Sequence, residues 1–254
     1  MKKAWVIGVN SFKESLRRKT LYILLVVGLI VIGASKAFSF LTAEEELKMI
    51  KDVSFSSIEF FGALIAIFIS LAAISGEIEK RTIYTLFSKP ITRQNFFIGK
   101  FIGIVMILFL NFILMTIFFM GLLIFKKSPP DIQVFKTLLL IFIELILIGS
   151  ITLTVATFAS DAFNVIFSFF LYIVGHLTSY GKQLIERTEN IILKGLGQML
   201  YSIVPNYENF NIRDKVVVGV EVSFKYIFKT GIYGILYILV ILLIGSYFIQ
   251  KKEI

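Results

Sequence analysis

The run IGKFIGIVMILFLNFILMTIFFMGLLIF, from Ile98 to Phe125, decides the fold class of this 254-residue chain. A helix needs about 20 mostly apolar residues to cross a hydrocarbon core of about 30 Å, and this run exceeds that length. In the whole chain 57% of the residues are hydrophobic, and the mean hydropathy is +0.87. A soluble domain does not need so much apolar material to fill one core, so we expect an integral membrane protein.

The same length criterion identifies further apolar runs on both sides of this one. Together they predict an all-α integral membrane protein with six transmembrane helices in a single domain, residues 1–254. No small-residue cleavage site follows the first run, so we expect it to stay in the mature protein as a span. The predicted spans are Leu21–Leu41, Ser57–Gly76, Ile98–Phe125, Leu138–Ala159, Phe163–Tyr180 and Gly231–Ile249.

The basic residues indicate the orientation. The net charge is +9, but Lys and Arg flank the apolar runs instead of forming a stripe with interleaved aromatic residues, which does not fit a nucleic-acid partner. The termini and short loops on one side carry twelve basic residues, and the short loops on the other side carry five. Because basic residues accumulate on the cytoplasmic side, we predict a multi-pass protein of the inner (cytoplasmic) membrane with both termini in the cytoplasm.

The segment before the first span, residues 1–20, has helical periodicity. Trp5, Val9, Phe12 and Leu16 recur at intervals of three and four, while charged residues such as Arg17 face elsewhere. This spacing predicts an amphipathic helix in the cytoplasmic headgroup region, with its cations near anionic lipid. A frayed basic tail is the alternative.

A polar segment, GEIEKRTIYTLFSKPITRQNFFIGK at residues 76–100, joins the second and third predicted spans. A simple turn needs only about four residues, whereas this predicted cytoplasmic loop covers residues 77–97. Pro90 disfavours helical geometry in the residue before it, so we predict a short helix over 82–88, and Thr92 is the predicted N-cap of the next span. A short helix with an apolar tip and charged flanks fits either a groove on a soluble partner or the lipid headgroups, and both alternatives stay open.

This segment resembles the cytoplasmic loop of the type-2 ABC exporter permease family, whose motif has Glu, Glu, Thr, Leu, Pro and Arg in this order before a Gly-Lys pair. Two more stretches resemble that family: SLRRKTLYIL is similar to its connecting, or elbow, helix, and YSIVPNYENFNIRD to a region before its last span. Arg81 stands where the family usually has Gly, so the local backbone need not be the same. The motif positions in this chain are Glu77, Glu79, Arg81, Thr82, Leu86, Pro90 and Arg93.

The resemblance implies the membrane-spanning permease subunit of an ATP-driven ABC exporter. Two permeases, a second copy or a paralogue, would form one pathway, and each would dock on a separate ABC ATP-binding subunit through the loop and the elbow helix. ATP and Mg²⁺ would be bound by that partner. The chain has no G-x-x-x-x-G-K-[ST] phosphate-binding run, so we expect no enzymatic activity, no catalytic residue and no cofactor of its own. The elbow-helix residues implied in docking are Trp5, Phe12, Leu16 and Arg17.

Glu144, Asn111 and His176 are three of the polar residues in the predicted spans. A carboxylate such as Glu144 costs about 2.5–3.5 kcal/mol at mid-membrane, so it should face protein or water, either fastening the bundle or contacting cargo or protons. Asn111 is predicted to form an interhelical hydrogen bond. His176 is the only histidine, and with no Cys in the chain it forms a poor set of metal ligands, so we expect a packing role near the interface and no metal site.

The region 181–229 is predicted to be helical and extracytoplasmic. Leu184–Met199 has the pattern of one amphipathic helix, and Ile212–Val222 that of a shorter one. These elements would cover the outer mouth of a pathway or rest in the outer headgroups. Elsewhere, the Glu44–Glu46 run is expected in a solvated outer loop, and Asp161 is expected to cap the fifth span.

Three other classes of function were weighed. An intramembrane enzyme would need a nucleophile with a base, or paired metal ligands, and one histidine, no cysteine and one deep carboxylate do not supply them. An ion-coupled secondary carrier would show internal repeats and interrupted helices, which the sequence does not display convincingly. A non-transporting membrane scaffold is the last alternative, and the loop motif is the only feature of the sequence that speaks against it.

Overall fold

The computed structural model describes residues 2–35, 43–79, 92–188 and 190–251, and this described part is helical with no strand. One 3-10 turn, Tyr207–Asn209, interrupts the distal region. The helices are α1 (Lys2–Ser15), α2 (Lys19–Ala34), α3 (Ala43–Glu79), α4 (Arg93–Phe125), α5 (Ile132–Val155), α6 (Asp161–His176), α7 (Thr178–Arg187), α8 (Ile191–Ile203), α9 (Arg213–Val217) and α10 (Phe224–Lys251).

The long helices alternate in direction, as contacts between their ends show. Lys126, just after α4, forms an ion pair of 2.5 Å with Glu46 at the start of α3. At the other end of the bundle, the Arg93 guanidinium at the start of α4 donates a hydrogen bond of 3.0 Å to the carbonyl of Gln250 in α10. We call this second end, where α3 and α10 finish and α4 begins, the basal end. The opposite, distal end carries α7, α8 and α9.

Four of the described helices are long and apolar enough to cross a membrane: α3, α4, α5 and α10. The pair α6 and α7, bent by 69°, adds a fifth candidate if it is counted as one span. Helix α2 has 16 residues, and at 1.5 Å per residue it extends about 24 Å, short of the roughly 30 Å hydrocarbon core. The rest of its predicted span, residues 36–41, lies outside the described residues. The predicted number of six spans is therefore not confirmed.

The long helices differ in how much of their apolar surface is covered. Helix α5 is 78% buried over its apolar window, whereas α10 is only 22% buried. Large apolar side chains on α4 and α10 point away from the bundle, including Ile117, Phe125 and Leu243, which are 63–71% exposed. A soluble protein rarely leaves so continuous an apolar surface uncovered, so this surface faces lipid. The high burial of α5 makes it the central helix.

Helix α1 crosses α4 through small residues. A Cβ added to Gly99 would lie 2.7 Å from Cβ of Ile7, and one added to Gly103 would lie 2.8 Å from the carbonyl oxygen of Gly8. These distances leave no room for a side chain, so the close crossing depends on both glycines of α4. The buried residues of α1 are Ala4, Ile7, Gly8, Ser11 and Ser15.

The predicted apolar stripe of α1 is divided between two environments. Trp5 is 56% exposed and points away from the bundle, while Phe12 and Leu16 pack partly against the core. Arg17, just after α1, is exposed. A helix is present where the amphipathic pattern predicts one, but its position at a membrane surface stays a prediction.

The prediction of a single helix over Leu184–Met199 is wrong. Two helices, α7 and α8, cover this part of the chain. The new start is explained by Asn190, whose side-chain oxygen accepts hydrogen bonds from the backbone N–H groups of Ile192 (3.0 Å) and Leu193 (3.3 Å). Such an N-cap satisfies backbone donors that a continuing helix would bond internally, so the chain can restart in a new direction.

Two further expectations about the distal end need correction. The helix predicted over Ile212–Val222 is shorter in the structure, where α9 covers only Arg213–Val217. It ends before Gly219, whose φ of 86° lies in the left-handed region. The Glu44–Glu46 run is not a loop, because α3 begins at residue 43 and includes it. Glu46 is 8% exposed and paired with Lys126, so this carboxylate ties α3 to the end of α4.

The starts of α4 and α6 test two predicted helix caps. Thr92 is the N-cap of α4 as predicted, and its side chain accepts a hydrogen bond of 3.3 Å from the N–H of Asn95. The prediction that Asp161 caps α6 is wrong, because Ser160 occupies that position. The Asp161 carboxylate instead accepts a hydrogen bond of 2.5 Å from the hydroxyl of Ser75, which ties the start of α6 to the end of α3.

Candidate functional site

Four charged residues join α1, α3 and α4 at the basal end, and we call them the basal cluster: Glu14, Arg18, Glu77 and Lys100. The Lys100 ammonium lies at its centre, 2.6 Å from the nearest carboxylate oxygen of Glu77 and 3.9 Å from that of Glu14. The Lys100 side chain is only 3% exposed and that of Glu77 15%. Because both side chains are largely buried, loss of one partner would leave the charge of the other uncompensated. The Lys100–Glu77 ion pair therefore couples α4 firmly to α3.

Arg18 extends the basal cluster to the connection between α1 and α2. Its guanidinium lies 3.6 Å from Glu14 and donates a hydrogen bond of 3.0 Å to the carbonyl oxygen of Ala72 in α3. Through these two contacts the connection between α1 and α2 is attached to the last turns of α3. Displacement of the end of α3 would therefore act on α1 and α4 together.

A second group of charged residues, the distal cluster, comprises Glu59, Glu144, His176 and Arg213, from α3, α5, α6 and α9. Nε2 of His176 lies 2.7 Å from Oε1 of Glu59 and 3.2 Å from Oε1 of Glu144. Nη1 of Arg213 lies 3.3 Å from Oε2 of Glu59. Glu59 is 3% exposed and Glu144 is fully buried, so two carboxylates share a space with little water.

The hydrogen bonds around the distal cluster fix its orientation. Nδ1 of His176 lies 2.9 Å from the carbonyl oxygen of Tyr172, and because a carbonyl only accepts, this nitrogen carries the proton. Nε2 is thereby turned towards the carboxylates. The Arg213 guanidinium also donates to the hydroxyl of Ser56 at 3.0 Å. Neither oxygen of Glu144 has a hydrogen-bond partner among the described residues.

Tyr207 lies beside the distal cluster in the 3-10 turn. Its ring centroid is 5.5 Å from that of His176, and its side chain is almost fully buried. Burial, with a smaller effect from the negative charge of Glu144, raises the pKa of the Tyr207 hydroxyl well above its usual value. The phenol is therefore neutral, and its ring packs beside the imidazole of His176.

Asn111 is not the interhelical hydrogen bonder predicted from the sequence. Its amide nitrogen donates a hydrogen bond of 2.8 Å to the carbonyl of Ile107, one turn earlier in the same helix. Its side-chain oxygen is buried and finds no hydrogen-bond partner in the described residues. The side chain therefore contributes little to the association of helices.

The profile of the family described as ABC-2 family transporter protein matches residues 29–253, which includes every helix from α3 to α10. The chain belongs to the ABC-2 transporter family. It is a permease component of an ABC transporter, as the resemblance of its loop predicts. No curated protein matches the chain.

In this ABC-2 permease the predicted coupling residues lie at or between the ends of α3 and α4. Glu77 belongs to the basal cluster, Glu79 is the last residue of α3, and Arg93 binds the end of α10. The short helix predicted over 82–88 lies outside the described residues. So do the remaining motif residues, Arg81, Thr82, Leu86 and Pro90.

Sequence reasoning missed five residues of the ABC-2 permease clusters: Lys100, Glu59, Arg213, Glu14 and Arg18. Lys100 and Glu59 lie inside apolar runs, and one charge within a predicted span is the signal that would have found each of them. The expectation of one deep carboxylate is accordingly wrong, since Glu59 is buried beside Glu144. Arg213 gave no such signal, because it lies in a polar region. His176 contacts both carboxylates and so does more than fill space at an interface.

Proposed function

We propose that this ABC-2 permease is the membrane-spanning subunit of an ATP-driven exporter. Two permeases, either two copies of this chain or this chain and a paralogue, form the pathway, with six spans each and the termini in the cytoplasm. Separate ATP-binding subunits bind ATP and Mg²⁺, because this chain has no phosphate-binding run of its own. Membership of the ABC-2 family supports this proposal.

The observation that carries the proposal is the basal cluster. The segment 80–91 begins at the end of α3 and returns at the start of α4, and Lys100 joins these two helices by its contact with Glu77. Arg18 and Glu14 add α1 to the same group. A force applied to this segment would therefore move three helices as one body instead of bending a loose loop.

The transport cycle follows from this connection. ATP draws two partner subunits together, and the loop helix, seated in a groove on each partner, converts the displacement into tilting of α3 and α4. The pathway then opens outward, and hydrolysis resets the pair. In this proposal the partner contacts come from Glu77, Glu79, Arg81, Thr82, Leu86, Pro90 and Arg93 in the loop and from Trp5, Phe12, Leu16 and Arg17 near α1.

The docking role is tested with the loop variant Leu86→Asp. We expect it to insert into the membrane and to lose transport and the stimulation of ATP hydrolysis by cargo, because a carboxylate cannot enter an apolar groove without a large desolvation cost. The measurement is ATP hydrolysis and transport of candidate lipids or drugs by the permease and its ATP-binding subunit in proteoliposomes.

The matched control is Val218→Asp, which places the same carboxylate on an exposed residue at the distal end. It should transport normally. Charge reversal at Glu79 or Arg81 should reproduce the defect of the loop variant. Normal coupled transport by all three loop variants would refute the docking role.

An ion-coupled carrier is the second candidate, and the distal cluster is the observation that favours it. Ionisable residues buried among spans commonly line ion or proton pathways. The two candidates differ in energy source. Transport driven by an ion gradient in vesicles without nucleotide would support the carrier, whereas strict dependence on ATP and the partner subunit would support the exporter.

A further inference from the structure

The distal cluster has the ligand set of a metal site. One imidazole nitrogen and one oxygen from each of two carboxylates, those of His176, Glu59 and Glu144, lie within 4.8 Å of one another. Nitrogen and oxygen ligands of this kind suit Zn²⁺, and three protein ligands with one open position are typical of zinc sites that exchange a fourth ligand. The three side chains come from α3, α6 and α5, so an ion here would join three helices.

The state of His176 is the first reason to assign a ligand. Metal-binding histidines usually donate the other ring N–H to a backbone carbonyl or carboxylate, and Nδ1 of His176 does so to Tyr172. Nε2 faces the two carboxylates at 2.7 and 3.2 Å, yet it has no partner with hydrogen-bond geometry among the described residues. The nitrogen is thus oriented towards both carboxylates.

Glu144 supplies an independent reason. It is fully buried, and both of its oxygens are without a hydrogen-bond partner in the part of the chain that the structure describes. A buried carboxylate without hydrogen bonds is costly unless a cation binds it. Arg213 does not serve this purpose, because its contacts are with Glu59, Ser56 and Asp214.

The charge of the cluster also favours a cation. Two carboxylates face one guanidinium, which leaves one negative charge to be balanced by His176 or by a bound cation. Arg213 binds the second oxygen of Glu59 at 3.3 Å, so it can hold that carboxylate in place while the first oxygen binds an ion. The His176 side chain keeps 18% exposure, so the cluster is not fully enclosed.

We propose that Glu59, Glu144 and His176 bind one Zn²⁺ ion, with Arg213 orienting Glu59. In a tetrahedral zinc site the ligand atoms are about 3.3 Å apart, as follows from metal–ligand distances near 2.0 Å. The separation of His176 and Glu144 already matches this value at 3.2 Å, and that of His176 and Glu59 must open slightly from 2.7 Å. The bound ion would tie α3, α5 and α6 together below the distal helices.

The test is zinc binding by the full-length chain in detergent, purified without a polyhistidine tag and stripped with a chelator. Competition with a fluorescent zinc chelator should give one Zn²⁺ per chain. Glu144→Gln, Glu59→Gln and His176→Gln should each weaken binding by at least about tenfold, since even residues that only orient ligands contribute about 10–100-fold. Glu46→Gln alters another largely buried carboxylate outside the cluster and should leave the affinity unchanged.

A second measurement does not depend on the folding of any variant. X-ray absorption at the zinc edge of the wild-type chain should show nitrogen and oxygen neighbours near 2.0 Å, including one imidazole. Absence of saturable binding by the wild-type chain, or equal binding by all three variants, would overturn the proposal and leave the cluster as a tie balanced by protons. Neither result bears on coupling to ATP, which is measured separately.

Discussion

Lys100 lies in the first turns of an apolar helix, and its ammonium is surrounded by carboxylates instead of water. Its 2.6 Å contact with Glu77 and its longer one with Glu14 compensate a charge that its buried position would otherwise make costly. The hydrophobic pattern alone assigns this residue to a span, and only the tertiary structure shows its three-helix arrangement. Lys100 thus joins the first turns of α4 to the end of α3.

Replacement of Lys100 by methionine keeps the length of the side chain and removes its charge. We expect Lys100→Met to lower the free energy of unfolding by about 3 kcal/mol, because Glu77 then stays in a mostly buried place without its partner. The double variant Lys100→Met with Glu77→Met should recover much of this loss, since no charge is left unpaired. Unfolding by SDS in mixed micelles provides the measurement.

The control for this prediction is Lys182→Met on α7. Lys182 also pairs with a glutamate, Glu186, but their side chains are 62% and 64% exposed and the contact is 3.9 Å. Solvent screens such a pair, so no measurable change is expected. Equal stability of the Lys100 and Lys182 variants would show that the basal cluster does not hold the helices together.

At the scale of the element, the crossing of α1 and α4 depends on the absence of side chains. Amphipathic periodicity predicts that the N-terminal segment is helical, but it selects the large residues Trp5 and Phe12 as the important face. The structure buries the small face instead, against Gly99 and Gly103. Periodicity measures hydrophobicity and is insensitive to which face fits closely against a neighbour, so the packing face could not be predicted from it.

Gly103→Leu tests this packing. A leucine would collide with the backbone of α1 at Gly8 and with the side chain of Ser11, so we expect a loss of stability of about 1–3 kcal/mol from overpacking. The N-terminal segment should also become more accessible to protease. Gly121→Leu in the same helix is the control, because no described atom lies within 4 Å of its added Cβ. A similar effect of both substitutions would indicate loss of helix flexibility instead of a collision.

The distal helices show the limit of element prediction. The sequence predicts helical structure in region 181–229, which the structure shows, although α8 continues to Ile203, beyond the predicted end at Met199. It does not predict the break at Asn190, because a polar residue fits both the exposed face of one long helix and the N-cap of a new one. The choice is made by the packing of α7 and α8 against each other, where Gly197 closely approaches Ile185.

At the scale of the whole molecule, hydropathy and charge counts predict more than the local motifs do. The apolar runs locate α3, α4, α5 and α10, and their alternation brings the end of α10 beside the start of α4 at the basal end. The membrane limits helices to a narrow range of lengths, so spans are easier to predict than caps. The distal cluster is different, since its four residues come from four helices that only the tertiary structure brings together.

The orientation of the whole molecule is testable because the sequence contains no cysteine. Ser160→Cys places one thiol at the basal end, on an exposed residue whose side chain makes no capping hydrogen bond. Glu221→Cys places one on an exposed residue at the distal end. Because the basic residues of the short loops are concentrated at the basal end, we expect that end in the cytoplasm. In intact cells a membrane-impermeant maleimide should therefore label only Glu221→Cys.

Permeabilised cells provide the control, since both variants should then react and the cysteine-free parent should not. Labelling of Ser160→Cys in intact cells, with protection of Glu221→Cys, would place the basal end outside. The segment 80–91, which leaves α3 and returns to α4 at that end, would then face away from any cytoplasmic ATP-binding subunit. The docking proposal would fail with it, whereas the metal site would not, because its ligands and their distances are the same in either orientation.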